Sequence, residues 1–182
     1  HGGDIRMKTS TSQIMMHAVD ESVYEDFRQN ASALDHFTSD KMFVDMFETG
    51  LRANVVNSAY VRSSYLHTGA SPVPLILFGV YHVKDAIWAP WIVVTNHALK
   101  SRAFLRSLII IGSAYMEIIE NVAMAGHLAN GAPLVARPTL ETFVLASNRS
   151  TIALVRRMGF TIDQPEIVGT EGEQFCRVRR AV

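Results

Sequence analysis

Three basic side chains gather at the predicted start of the longest helix in the chain: Lys100, Arg102 and Arg106. The first amides of a helix have no partners within it, and the helix dipole is positive at that end. Cations placed there are therefore unfavourable unless an anion offsets them, and a phosphate or pyrophosphate is the anion such a site suits best. Solvated surface charges are the equally weighted alternative.

A second stretch whose residues could take part in chemistry runs over residues 140–160. An apolar, β-prone segment (LETFVLA) ends where Asn148 can cap a helix with its side chain. Gly159 stands where a helix needs a left-handed residue to stop, and Phe160 is placed to pack back on the last turn. The predicted order is strand, capped helix, glycine stop and a new strand beginning at Thr161. The apolar face of this helix comprises Ile152, Leu154, Val155 and Met158.

Other catalytic and metal-binding motifs are absent from the sequence. It contains no G-x-S-x-G elbow, Walker loop, H-E-x-x-H or Cys-x-x-Cys pattern. The seven histidines are scattered without metal-site spacing, so no metal is predicted. His17 is interpreted as a half-buried structural histidine, and Glu117 and Glu120 as either a polar helix edge or acid–base partners.

The elements that position these residues follow from hydrophobic periodicity and turn signals. Strands are predicted over 13–18, 75–83, 87–95, 140–146 and 174–180, and loops over 67–74, 130–138 and 164–172. Helices are predicted over 20–30, 39–65, 101–128 and 148–159, and the second of these is either continuous or broken near Gly50 and Leu51. In the long helix, Phe104, Leu108, Ile111 and Tyr115 are expected to face the sheet. Pro90 lies inside a predicted strand, where proline indicates a bulge or a splayed edge.

Composition narrows the class of protein. The chain has 182 residues, 48% of them hydrophobic, with 17 basic and 17 acidic side chains. A formal charge of zero argues against broad nucleic-acid binding, and the single cysteine gives no sign of an oxidising compartment. No apolar run reaches the ~20 residues of a membrane helix. We expect residues 1–6 to be a tag or linker remnant and residues 7–182 to form one soluble, cytoplasmic domain without membrane contact.

The stretch from Asn148 to Phe160 resembles the last conserved segment of the GCN5-related N-acetyltransferases, N-x-x-A-x-x-x-Y-x-x-x-G-F. Asn148, Gly159 and Phe160 match, Thr151 stands for the small residue and Val155 occupies the tyrosine position. The family's pyrophosphate-binding turn, Q/R-x-x-G-x-G/A, aligns with residues 100–105 (KSRAFL), where alanine and leucine replace the two glycines.

The resemblance implies a mixed α/β (α+β) fold, a twisted mixed sheet with helices on both faces. It implies acetyl-CoA as cofactor, a small-molecule or protein amine as acceptor, and direct acetyl transfer between them. The implied cofactor-binding residues are Val93, Val94, Thr95, Lys100, Ser101, Arg102, Ala103, Phe104 and Asn148. No catalytic residue is assigned, because valine at position 155 cannot donate a proton and Ser147, Ser150 and Thr151 are weak substitutes.

A narrower resemblance covers residues 74–160. Its order of an apolar strand, a Trp-containing strand ending Val-Thr, an FLRSLI helix and a Met-Gly-Phe stop is similar to acetyltransferase-like virion and assembly proteins of short-tailed phages. Two main hypotheses therefore stand: an N-acetyltransferase, or a catalytically silent fold of the same kind that acts by protein interaction in a virion or on a host target. A third is an enzyme that acts on a nucleobase or another small amine with the same cofactor. The sequence leaves the oligomeric state open, a homo-oligomer included.

Overall fold

The structure is a computed structural model that describes residues 13–30, 50–67, 71–100, 102–133, 135–167 and 174–182. Within these ranges the side chains of Gln13, Leu99, residues 102–111, Ser150 and Ile167 are outside the description. The strands are β1 (Gln13–His17), β2 (Tyr60–His67), β3 (Val73–Lys84), β4 (Ile87–Val94), β5 (Thr139–Leu145), β6 (Thr161–Ile162), β7 (Glu166–Ile167) and β8 (Gln174–Ala181). The helices are α1 (Glu21–Asn30), α2 (residues 50–57), α3 (Asn96–Lys100), α4 (Arg102–Ala129) and α5 (Arg149–Arg157).

All the described strands belong to one mixed sheet. Its order is β1-β2-β3-β4-β5-β8-β6, and β7 also pairs with β8. Neighbouring strands run antiparallel except β4 and β5, which are parallel. The predicted twisted mixed sheet with helices on both faces is therefore confirmed.

Alternation along the strands assigns each sheet face to its own helices. On one face, Ile76, Phe78 and Val80 of β3 join a buried cluster with α4. On the other face, Leu77 of β3 and Val93 of β4 join a smaller cluster with α1 and α2. The helices thus cover opposite faces of the same central strands.

The predicted long helix is confirmed as α4, Arg102–Ala129, which the 3–4 spacing of its apolar residues explains. Tyr115 is buried and its ring stacks on Phe78 with centroids 4.3 Å apart, as expected for a residue facing the sheet. The side chains of the other three residues expected there, Phe104, Leu108 and Ile111, lie outside the described residues.

The predicted helix over residues 39–65 is wrong at its end. Tyr60–His67 forms β2, which pairs with β1 on one side and β3 on the other. Its two serines, Ser63 and Ser64, are fully buried because hydrogen bonds satisfy them inside the sheet and against α4. Tertiary pairing therefore overrode the apolar spacing on which the helix was based. The apolar residues Met42, Phe43, Met46 and Phe47 lie outside the described residues.

The stretch from Asn148 to Phe160 folds as the sequence predicts. The Asn148 side chain accepts a hydrogen bond from the backbone of Thr151 at 3.1 Å and so caps α5. Gly159 follows the helix with a φ of 82°, and Phe160 is buried in the main core. Two short elements were not predicted: α3 lies between the predicted strand over 87–95 and the predicted helix over 101–128, and β7 lies in the expected loop over 164–172.

Candidate functional site

A gap opens in the sheet between the parallel strands β4 and β5. Their register contains two pairs, Ile87 with Thr139 and Trp88 with Leu140. Beyond this point β4 continues to Val94 and β5 continues to Leu145, yet no further pair joins them. The two strands therefore separate after these two pairs and leave an opening inside the sheet.

Pro90 explains why the pairing stops where it does. The backbone N–H of Thr139 donates to Ala86 at 2.8 Å, which fixes the phase of the parallel ladder. In this phase the next bond from β4 would run from residue 90 to the carbonyl of Glu141. Proline has no N–H to donate. The sequence prediction of a splayed edge at Pro90 agrees with the geometry, while the bulge of this hairpin lies elsewhere, between His82 and Lys84.

The backbone of Ile92 faces the gap. Ile92 pairs with Phe78 of β3, and Pro90 pairs with Val80, whose carbonyl is directed toward β2 by its bond to Ala59 at 3.0 Å. These are therefore the pairs of the antiparallel ladder without mutual hydrogen bonds, so the N–H and C=O of Ile92 point away from β3. The Ile92 side chain is 47% exposed, as expected beside an opening.

The predicted cofactor-binding residues at the end of β4 differ in their placement. Val93 lies in the opposite phase from Ile92: its backbone faces Leu77 of β3, and its side chain is buried with α1 and α2. Val94 shares the phase of Ile92. The sequence alone could not show which of the two residues faces the gap, because that depends on the register with β3.

The stretch that leads from β4 to the expected phosphate-binding residues is a short capped helix, α3. Thr95 is fully buried, and its hydroxyl donates to the carbonyl of Pro74 at 2.7 Å. The same oxygen accepts a hydrogen bond from the amide of Ala98 at 3.3 Å, so this first-turn amide of α3 already has a partner. Lys100, exposed at the end of α3, and Arg102, the first residue of α4, flank Ser101. Ser101 and the side chains of Arg102, Ala103, Phe104 and Arg106 lie outside the described residues.

The remaining site residues of the sequence analysis lie on α5. The side-chain oxygen of Asn148, one of the proposed cofactor contacts, is engaged in the helix cap. Val155, at the position where the resemblance implies a tyrosine, packs with Ile152 and Met158 against the main core. Position 155 therefore offers no proton donor, because its side chain is apolar and packs against the core.

A tyrosine that could be considered in place of the one missing at position 155 is Tyr115 on α4. Its hydroxyl shares a hydrogen bond with Ser64 of β2. Burial raises the pKa of Tyr115, and the hydrogen bond from Ser64 acts in the opposite direction. A neutral, buried and partnered hydroxyl of this kind holds α4 on the sheet.

A separate cleft of about 590 Å³ lies between α4, the end of α5 and β8. It is lined in part by Glu117, Glu120 and Arg180. An oxygen of Glu120 lies 2.6 Å from Arg180, an ion-pair contact outside the angular range of a hydrogen bond. Of the two glutamates considered as acid–base partners, Glu120 is thus committed to a structural ion pair.

One contact joins two of the histidines. Nε2 of His17 lies 3.2 Å from Nε2 of His67, and Tyr65 packs edge-on against the His17 ring. His17 is half-buried, as expected for a structural residue. Among the described ranges, no group of three histidine, cysteine or acidic side chains is arranged to hold a metal ion. Nor does the described part of the chain include a helix of the length and hydropathy that crossing a membrane requires.

Comparison with known proteins identifies the architecture. The chain aligns with an acetyltransferase of the GNAT family from Streptococcus pneumoniae at 13% identity and a TM-score of 0.54, covering 93% of this chain and 99% of the other. The fold is that of the GCN5-related N-acetyltransferases (GNAT). Spermidine N-acetyltransferase from Vibrio cholerae, solved with CoA and spermine, aligns at 12% identity and a TM-score of 0.54 over 93% and 95% of the two chains.

A third GNAT-fold structure is yncA from Salmonella typhimurium, solved with its cofactor acetyl-CoA. It aligns at 12% identity and a TM-score of 0.54 over 92% of this chain and 93% of the other. No protein-family model matches the sequence, and no curated protein does. The similarity is therefore one of fold, carried by structure at identities where sequence comparison finds nothing.

Two residues of the gap were missed by sequence reasoning, Ile92 and Glu141. Glu141 is the first residue of β5 beyond the last pair with β4. The signal for it was present: it is an acid in the otherwise apolar or β-prone segment LETFVLA, and it follows the strand pairing that Pro90 limits. Ile92 carried no signal, because its contribution is backbone geometry.

Proposed function

We propose that this protein transfers an acetyl group from acetyl-CoA to an amine. The observation that carries the proposal is the gap between β4 and β5, bordered by the backbone of Ile92 and held open by Pro90. An N–H directed into the gap is suited to stabilise the oxygen of a thioester carbonyl as negative charge develops on it. The GNAT fold and the acetyl-CoA held by yncA support this use of the gap.

The chain's own residues supply positioning in this scheme. Ile92, with Val94 in the same phase, lines the strand along which the pantetheine arm would extend. The basic residues Lys100 and Arg102 lie between α3 and α4, near the end of that strand, where they would attract the phosphates. Acetyl-CoA supplies the activated acyl group. The capped amide of Ala98 takes no part, so the phosphates would depend on side-chain charge more than on this turn.

The acceptor is proposed only as a class, a primary amine on a small molecule or a protein. The Vibrio cholerae neighbour was solved with spermine, so polyamines are among the first acceptors to test. The proposed place of action is the cytoplasm. A homo-oligomer remains part of the proposal, which the dodecameric Vibrio cholerae enzyme supports.

A second candidate function is a catalytically silent GNAT-like fold, acting as a phage virion or assembly protein or on a host target. Two observations favour it. Thr95 caps the amide of Ala98, just ahead of the residues expected to hold phosphates, and Val155 packs in the core where the family pattern has a tyrosine.

The decisive experiment is thermal unfolding with and without acetyl-CoA, followed by calorimetry. A ligand that binds only the folded state stabilises it by RT ln(1 + [L]/Kd), about 2.7 kcal/mol at a hundredfold excess over Kd. The transferase hypothesis expects a rise in Tm that shrinks with added salt, because exposed charge pairs are screened. If millimolar acetyl-CoA neither raises the Tm nor produces a heat of binding, the transferase hypothesis fails and the catalytically silent fold is supported.

A further inference from the structure

Glu141 stands at the point where β4 and β5 part. It follows Leu140, the last β5 residue paired with β4. Leu140 and Val144 belong to the core beneath α4, so alternation along the strand places Glu141 on the opposite face of the sheet. Phe143 is on that same face, beneath the guanidinium of Arg177 at 5.6 Å. The carboxylate therefore lies at the apex of the gap, on the face that α1 and α2 cover over the neighbouring strands.

The basic residues near Glu141 are held by other acids. Arg179 lies directly opposite Glu141 on β8, but it donates to both carboxylate oxygens of Asp163 at 3.0 and 2.8 Å. Arg177, the next residue of β8 on this face, pairs with Glu166 at 3.2 Å. Glu141 itself is half-buried and makes no ion pair or hydrogen bond with another described side chain. It is thus an acid of this face left without a counterpart in the described part of the chain.

Across the gap, β4 offers no other group that could accept a proton. The residues of β4 on this face are Ile87, Ala89, Trp91 and Val93. Ala89, level with Glu141, ends in a methyl group. The indole of Trp91 is turned toward β3, where its N–H donates to Ser58 at 2.9 Å and its ring lies over Gly79. Among the described residues of β4 and β5 on this face, the Glu141 carboxylate is therefore the one proton acceptor that a nucleophile entering the apex would meet.

We propose that Glu141 is the general base of the acyl transfer, taking the proton from the acceptor amine. The inference rests on the proposed function. In the step, the amine nitrogen forms a bond to the thioester carbonyl carbon, and the carbon–sulfur bond breaks. Glu141 accepts the proton that the nitrogen loses, directly or through one water, and the departing thiolate takes a proton from solvent. A base in this position contributes roughly 10²–10⁴-fold to a rate.

The experiment compares the native protein, Glu141→Gln and the control Glu166→Gln. Glu166 is an exposed acid that pairs with Arg177 and has no place in the gap. Acetyl-CoA binding is measured by calorimetry and thiol release with spermidine, benzylamine and hydroxylamine as acceptors. If none of these is acetylated, the slow hydrolysis of bound acetyl-CoA is the readout, because water must lose a proton as well.

Glu141→Gln is expected to bind acetyl-CoA within about twofold of native and to lose roughly 10²–10⁴-fold in kcat/KM, with the acid limb of its pH profile removed. The deficit should shrink for hydroxylamine, which is unprotonated at neutral pH and needs less help from a base. Glu166→Gln should behave as native.

Two outcomes overturn the inference in different ways. If the native protein binds no acetyl-CoA or releases no thiol under any of these conditions, the proposed function itself fails. If it binds and turns over while Glu141→Gln keeps its rate and pH profile, the base lies elsewhere and only the role of Glu141 is lost. A Glu141→Gln protein with lowered Tm and weakened acetyl-CoA binding would make the residue structural, which also contradicts the proposal.

Discussion

Gly159 ends α5 in a conformation that glycine alone adopts without strain. Its φ is 82°, and a Cβ built there would also meet the guanidinium of Arg180 at 3.4 Å. Gly159→Ala is expected to lower the free energy of unfolding by about 1–2 kcal/mol, the cost of a left-handed conformation for a residue with a Cβ. Urea unfolding measures it.

Gly50→Ala is the matched control for this substitution. Gly50 lies in helix α2, has no positive φ, and a Cβ added there would meet no atom within 4 Å. It should leave stability unchanged or raise it by a few tenths of a kcal/mol, because alanine is the better helix former. Equal losses at both positions would show that the backbone conformation of Gly159 is not the cause.

Tyr65 contributes a stability that is lost at high pH. It is buried and donates a hydrogen bond to Asp26 at 3.0 Å. Burial raises the pKa of its hydroxyl, and the bond to Asp26 raises it further. In the unfolded chain the group ionises near its ordinary value of 10.0, whereas in the folded protein it stays neutral to higher pH. Its contribution is therefore complete below pH 10 and is lost as the pH rises beyond that value.

Tyr65→Phe is expected to reduce this alkaline loss when the free energy of unfolding is followed from pH 8 to 11. A smaller slope should remain from Tyr115, whose pKa burial also raises. At neutral pH the variant should be less stable by about 1 kcal/mol, because one hydrogen bond is gone. An unchanged alkaline slope in the variant would show that Tyr65 ionises in the folded and unfolded states alike.

At the scale of elements, Pro90 decides whether β4 and β5 stay apart. Pro90→Ala supplies an N–H that can donate to the free side of the Glu141 carbonyl and extend the parallel ladder by one bond. The expected result is slow hydrogen exchange at the new alanine and weaker binding of acetyl-CoA. Pro133→Ala, in the exposed loop after α4, is the control and should not change the affinity. Unaltered affinity together with fast exchange at position 90 would show that something other than the missing donor holds the strands apart.

The elements that the sequence predicted well are those specified locally. The long helix follows from its own apolar spacing, and α5 follows from the Asn148 cap and the Gly159 stop. β2 could not be predicted in this way, because its buried polar residues Ser63 and Ser64 are satisfied by partners distant in the chain. Ser63 bonds the carbonyl of His17 at 3.2 Å, and Ser64 bonds Tyr115. Burial of a serine is a property of the assembled sheet and leaves no local pattern.

The candidate site was predictable in the same uneven way. Pro90 carries its effect in its own covalent structure, so the opening could be expected from the sequence. The choice of Ile92 over Val93 depends on the phase of pairing with β3, and the apex position of Glu141 depends on the register with β4. Both registers are long-range properties, which composition and spacing do not determine.

For the whole molecule, the gap divides the sheet into two halves that β4 and β5 join through only two residue pairs. The main core also joins the halves, because Leu140, Val144 and Val178 pack with α4, and Arg180 of β8 adds a polar connection. One guanidinium nitrogen donates to the carbonyl of Met158 at the end of α5, and another lies 2.6 Å from Glu120 on α4. Because α4 also packs on the β1–β4 half, this arginine reinforces the link between the β5–β8 half and the rest of the protein.

Arg180→Met should therefore cost about 1–3 kcal/mol in urea unfolding, the range for hydrogen bonds to a charged group that is partly buried. Arg179→Met is the matched control one residue earlier on the opposite face, where the arginine pairs with Asp163 at 2.8 Å at the surface. An exposed pair of that kind contributes at most about 1 kcal/mol. Equal losses for the two variants would place both arginines among ordinary surface charges. A larger loss at Arg180, with hydrogen exchange accelerated in α5 and β8 before β2 and β3, would show that the two halves of the sheet depend on this contact to unfold as one.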